Sequence, residues 1–341
     1  MAAAVSLRNC LPASLPDYPY TGGAHTPSAG GTTARGTLPP RFAIRRQDTG
    51  SVRWTQIGRL YLAQQGFQLG NTPDIQTARA QFQSLVQNPA ISPAHRLLYQ
   101  NSLDATNLFL NDSQYVPQTE ENIRHTNEAD VVRTATLYLI HPVIQALWSH
   151  PYYHAGLLSQ SEDTQNGTRT DITLIKADRN QNHRSFSVVE FKRRGAIAGQ
   201  GFQHNLQMPL NAGFANLQAY LASIVTPVAP GQQPTAQQLM AVRNVPATMF
   251  AGGALTLIKQ ATAYAIEHRT QYIALFNYDF LIFCYFPWLD PTKPKQQLLQ
   301  ENRASLSEFP VEVDIYDKAT NAQEMRLALL GFLWAGIENT P

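Results

Sequence analysis

The stretch TRTDITLIKADRNQNHRSFSVVEFK (residues 168–192) decides the fold. Its first ten residues alternate between polar and apolar and are rich in β-branched side chains, the pattern of a half-buried strand. DRNQNH (178–183) is polar throughout and reads as a turn; RSFSVVEFK (184–192) is a second strand. The unit is a β-hairpin. Residues i and i+2 of a strand share a face, so Val188, Glu190 and Lys192 project together while Val189 and Phe191 pack on the other side. The hairpin sets Asp171 across from the end that carries Glu190.

Working outward, apolar residues at spacings of three and four predict helices between Ser51 and about Asn111, with Ser92-Pro93 as a start signal. A longer helix is predicted at 127–149, capped by Asn127 and kinked at Pro142. After the hairpin come a glycine-rich loop (RRGAIAGQG), a helix at 211–225, a Pro/Gln-rich insertion at 226–236 and a helix at 254–268. Strands QYIALFN and FLIFCYF follow, joined at Asn277-Tyr-Asp279, then a polar loop (WLDPTKPKQQ), a strand VEVDIY and a terminal helix at 321–337. This order predicts an α/β fold, a mixed sheet flanked by helices and wrapped by an N-terminal helical region. Three parts are expected: a flexible Pro/Gly-rich tail at 1–48, a helical region at 49–125 and the α/β domain at 126–341. The tail composition predicts few contacts and tolerance of removal.

The 341 residues are 43% hydrophobic and 15% charged, enough for a core and against global disorder, collagen or coiled coil. Neutral polar residues offset the low charge; Gln alone occurs 30 times. A net charge of +2 does not advertise a nucleic-acid binder in bulk, although a local groove can be basic in a nearly neutral protein. Cys10 and Cys284 make neither a disulfide framework nor a zinc site, which fits a reducing compartment. No apolar run has a bilayer's length, and prolines interrupt the N-terminus where a signal peptide needs an apolar stretch. The expectation is an intracellular protein, in cytoplasm or nucleus, with no membrane partner.

Chemistry concentrates at the hairpin's end. Two carboxylates, Asp171 and Glu190, with a backbone carbonyl make a hard oxygen set suited to Mg²⁺ or Mn²⁺. A lysine beside them, Lys192, can orient the attacking water and offset charge on a phosphodiester. A charged strand end is ordinarily just solvated, so the spacing alone leaves both readings open.

Arg169-Thr170-Asp171 and Glu190-Phe191-Lys192 together resemble the core motif of the PD-(D/E)XK nuclease superfamily: an acid on one strand, then acid-x-lysine on the next. Threonine stands where the family name places proline. Gln260-Ala-Thr-Ala-Tyr264 is similar to the Gln-x-x-x-Tyr helix of the RecB-like and lambda-exonuclease-like branch, and the general pattern is similar to uncharacterised nuclease-like proteins of fungi. The resemblance covers roughly 125–286. It implies a restriction-endonuclease-like fold and Mg²⁺- or Mn²⁺-dependent hydrolysis of nucleic acid to 5′-phosphates, with DNA the more frequent substrate than RNA. Asp171, Glu190 and the Phe191 carbonyl would hold the metal and Lys192 would act on the water. Glu128, in the first turn of the 127–149 helix, would complete the site, with Asp130 as the substitute; a first-turn acid is equally explained by the helix dipole. Gln260 and Tyr264 would position the nucleic acid, and Arg193 and Arg194 would contact phosphates.

No Walker loop, metal-spaced histidine set or nucleophile elbow is present. The rival expectation is a catalytically silent module of the same shape, holding nucleic acid or a protein partner.

Overall fold

The computed structural model describes residues 5–20, 37–40, 43–44, 52–64, scattered positions between 84 and 100, 114–115, 124–148, 156–165, 168–177, 183–197, 250, 252–304 and 311–340. The helix expected at 211–225 and the insertion at 226–236 lie outside them.

Among the described residues the strands are β1 (Val5–Ser6), β2 (Ala43–Ile44), β3 (Gln114–Tyr115), β4 (Leu157–Gln165), β5 (Thr168–Ala177), β6 (His183–Phe191), β7 (Tyr272–Phe276), β8 (Phe280–Tyr285) and β9 (Val311–Asp317). The helices are α1 (Leu7–Cys10), α2 (Val52–Gln64), α3 (Glu128–Ala135), α4 (His141–Trp148), α5 (Gly252–His268), α6 (Lys295–Ala304), α7 (Lys318–Asn321) and α8 (Met325–Asn339). Seven strands form one mixed sheet in the order β2-β9-β8-β7-β6-β5-β4. The β6–β7 and β2–β9 pairs are parallel, and the other pairs are antiparallel. The hairpin expected from 168–192 is β5–β6, in register from Ile172–Val189 to Ala177–His183 with an irregularity at Leu174/Ile175.

Alternation on β6 divides the interior. Val189 and Phe191 enter a core built with α2, α4 and α8, and Val188 enters the opposite core under α5. Helix α8 is buried on all its faces because it is central, with Leu327, Leu330 and Leu333 enclosed and even Arg326 buried. It crosses α2 glycine on glycine. A Cβ on Gly331 would lie 2.0 Å from the Trp54 carbonyl oxygen, and one on Gly58 would lie 2.1 Å from the Leu327 oxygen.

Asn127 caps α3 as expected, in a reciprocal capping box with Asp130. The bend expected at Pro142 is instead a π-helical turn, Thr136–Ile140, between α3 and α4. Pro142 has no N–H for the Tyr138 carbonyl. The His141 N–H reaches back to Thr136, and buried Arg326 donates through Nε to Tyr138 O.

Four expectations are corrected. Strand β4 was not expected, because its run from Ser159 to Gln165 has no apolar residue; pairing with β5 along nearly its whole length makes it a strand. The N-terminal stretch is not a contact-free tail. Leu7, Cys10, Leu11 and Leu15 are buried, Arg326 donates to the carbonyls of Cys10 (2.8 Å) and Ala13 (2.7 Å), and β2 pairs with β9. The division at residue 125 does not separate helix α2 from the α/β part. Trp54 donates to Asp314 Oδ2 at 2.7 Å and Arg53 pairs with Glu312 at 2.9 Å, so residues of the 49–125 region share one core with the α/β part. The loop expected at 288–297 ends early, at α6, and the terminal helix begins at Met325 after the separate short α7.

Gly331→Ala should destabilise by about 2–3 kcal/mol, because both atoms in the clash are backbone and the helices must separate. Gly156→Ala, whose Cβ would meet Ala177 O at 3.4 Å, should be near neutral. Urea unfolding of the two variants beside the parent checks the contrast.

Candidate active site

The β5–β6 ladder ends where the acids stand. Continuing its register by one residue sets Asp171 opposite Glu190, beyond the last pair, Ile172–Val189. Beyond that pair the Asp171 side chain takes over as acceptor: its Oδ2 receives the Phe191 N–H at 2.6 Å. The Lys192 N–H turns the other way, to Phe276 O at 2.8 Å. Burial drives sequence into this geometry, since Val188 and Val189 on the same strand are both fully enclosed.

Glu190 is 6% and Lys192 9% exposed. The Lys192 ammonium is ion-paired to Glu190 Oε1, and the Tyr264 hydroxyl on α5 donates to the same oxygen at 2.8 Å. The second oxygen, Glu190 Oε2, is buried with no hydrogen-bond partner among the described residues. A carboxylate oxygen left so is costly unless a cation or proton meets it.

The electrostatics follow from burial. Asp171 is pushed up to about 7, by desolvation first and by the Glu190 charge second; the Phe191 N–H and Lys192 pull the other way. Desolvation also raises Glu190, against Lys192 and the Tyr264 hydroxyl. Tyr264 is driven upward by burial and the Glu190 charge, so it stays a hydrogen-bond donor.

The remaining expected residues divide. Glu128 is solvent-exposed at the start of α3, yet its charge reaches Asp171, Glu190 and Tyr264. Among the described residues no group of three or more His, Cys, Asp and Glu is placed to hold a metal, so Glu128 as a third ligand is not supported by the geometry. Asp130 is spent on the cap, accepting from the N–H groups of Thr126 (2.8 Å) and Asn127 (3.1 Å). Gln260 lies one helical turn before Tyr264, and its Oε1 is buried with no partner among the described residues. Arg193 is half-buried.

Arg194 is corrected as a phosphate contact. It clamps Asp279 through two nitrogens, at 2.6 and 3.0 Å, and donates to Tyr18 O at 2.7 Å. Sequence reading missed this partner set: Tyr18, His125, Tyr278 and Asp279. His125 is held down to about 4, mainly by burial and then by the Arg194 charge. The one local signal was the Asn277-Tyr-Asp279 turn.

No helix among the described residues is long and apolar enough to cross a membrane. Comparison of the chain with family models, curated proteins and solved structures finds no match.

Asp171 ordinarily titrates at 3.8 and here near 7, so between those values the folded state holds the extra proton. Its contribution is therefore favourable in acid and lost as the pH rises through 7. Asp171→Asn keeps an acceptor for the Phe191 N–H and removes the buried charge. It should stabilise the metal-free protein by about 1–3 kcal/mol at pH 8 and by nothing near pH 4. Urea unfolding in EDTA across that range tests it.

Proposed function

We propose that the chain is a metal-dependent phosphodiesterase acting on nucleic acid, with DNA ahead of RNA, in a restriction-endonuclease-like fold of the PD-(D/E)XK kind. One observation carries the reading: two carboxylates and a lysine converge at the end of β6, and Glu190 keeps a buried, unpartnered oxygen. The chain path adds support for the fold, since helix α3 precedes the meander β4-β5-β6 and α5 leads to β7, parallel beside β6.

The donor set fits a hard divalent cation. Asp171, Glu190 Oε2 and the Phe191 carbonyl would hold Mg²⁺ or Mn²⁺, with Glu128 acting on the site through its charge. When bound, such an ion supplies Lewis-acid polarisation and a lowered pKa for its water. Tyr264 holds Glu190 by Oε1, which leaves Oε2 for the ion. Lys192 stands at the same carboxylate as a donor to the attacking water and a positive charge beside the phosphorane-like oxygens. Gln260 has an amide with which to position the bound strand.

The rival, a silent nucleic-acid or protein-binding module, is favoured by one fact: no third carboxylate joins the pair among the described residues. Salt-dependent binding without cleavage would identify it.

Purified protein with Mg²⁺ or Mn²⁺ should nick or degrade DNA or RNA, and EDTA should stop it. Lys192→Ala removes the charge and leaves the metal ligands, so turnover should drop about 10²-fold or more while metal binding survives. Asp171→Ala should instead weaken metal binding, because a hard cation loses a charged ligand. A cleavage assay beside a calorimetric Mn²⁺ titration separates the two failures. No cleavage of either nucleic acid with either metal, or full activity in Lys192→Ala, refutes the mechanism.

A further inference from the structure

We infer that residues 16–20 are an intramolecular strap that positions Lys192, acting through Arg194 and the turn at 277–279. The activity arm of this inference rests on the function proposed above, whereas the positioning itself stands on geometry.

One backbone bond and one ion pair anchor the chain at the lysine. Its own N–H donates to Phe276 O, the residue before the turn Asn277-Tyr278-Asp279. Two residues on, Arg194 grips both carboxylate oxygens of Asp279 in that turn through Nε and Nη2. Lys192 thus leaves β6 held against the β7–β8 corner at two points. The corner needs holding. Tyr278 is fully buried with φ 77°, in the left-handed region that a bulky side chain adopts only when its surroundings impose it.

The strap supplies that imposition. Tyr278 OH donates to Pro16 O at 2.8 Å, and Lys318 Nζ donates to the same oxygen at 2.9 Å. Arg194 Nη1 donates to Tyr18 O, and Tyr20 OH returns a bond to Arg194 O at 2.6 Å. The His125 N–H donates to Pro19 O at 3.1 Å. The Arg194 guanidinium lies over the rings of Tyr20 and Tyr278, at 5.2 and 5.7 Å. Pro16 and Pro19 have no N–H, so LPDYPY (15–20) offers carbonyls and rings rather than a ladder, and donors from Tyr278, Lys318, Arg194 and His125 meet those carbonyls. A lysine side chain has four rotatable bonds. Its ammonium reaches Glu190 reproducibly only if the backbone beneath it is fixed.

The test compares uncharged polar replacements in the clamp with a break elsewhere. Arg194→Gln and Asp279→Asn each remove the clamp from one side. Lys176→Met removes the ammonium that donates to Ile337 O and Thr340 O at the end of α8, a purely stabilising contact. Each folded protein, confirmed by a cooperative melt, is pulsed with an amine-acylating reagent, and labelling at Lys192 is read by mass spectrometry against Lys293. Both clamp variants should label several-fold faster at Lys192, and Lys176→Met should not, even at a lower melting temperature. In the cleavage assay Arg194→Gln should lower kcat about 10- to 100-fold with KM nearly unchanged, the signature of a misplaced group. Unchanged labelling in both clamp variants overturns the inference, as does equal labelling in Lys176→Met. A raised KM at unchanged kcat also overturns it, by making Arg194 a substrate contact. If the parent protein cleaves nothing, the proposed function fails while the labelling result still decides the positioning.

Discussion

A carboxylate and an ammonium are buried together at the end of β6, and much of the surrounding architecture answers to that. Removing two charges from water costs several kcal/mol each, which is recovered only with close pairing and further hydrogen bonds. Lys192 and Tyr264 crowd one oxygen of Glu190, and Asp171 is pushed toward neutrality next to it. A stable protein does not need such a cluster at the end of a buried strand. Its presence beside the buried Val188, Val189 and Phe191 of β6 makes it a candidate functional site rather than a packing device.

The other constraint is backbone accounting. Pro142 strands the Tyr138 carbonyl inside the core, and a buried carbonyl without a donor is costly. Arg326 meets it, and the same guanidinium holds the carbonyls of Cys10 and Ala13. One arginine therefore ties the π-helical turn to the N-terminal stretch. Farther along that stretch, donors from Arg194, Lys318, Tyr278 and His125 take up the carbonyls of Pro16, Tyr18 and Pro19. The N-terminal stretch is held by cationic and phenolic donors from distant helices and turns as well as by its own buried leucines.

The candidate site was legible in part. Asp171, Glu190, Lys192 and Tyr264 do come together, because strand parity and helical spacing of four are local rules that survive folding. Glu128 and Arg194 illustrate the limit. Their residue types suit a ligand and a phosphate contact, but exposure leaves the first outside any three-ligand group and Asp279 claims the second.

What the sequence by itself determined is whatever a single buried face writes into a local period. The β5–β6 hairpin, the Asn127 cap and the largely apolar α8 are of this kind, and each was readable within its own stretch of chain. The tertiary structure alone decided the strand state of β4, the docking of LPDYPY and the burial of the Glu190–Lys192 pair. β4 has no apolar period to read, because its hydrogen bonds come from a neighbour strand. The strap's partners lie roughly a hundred to 302 residues away, and no local pattern encodes a contact whose second half is contributed by a distant segment.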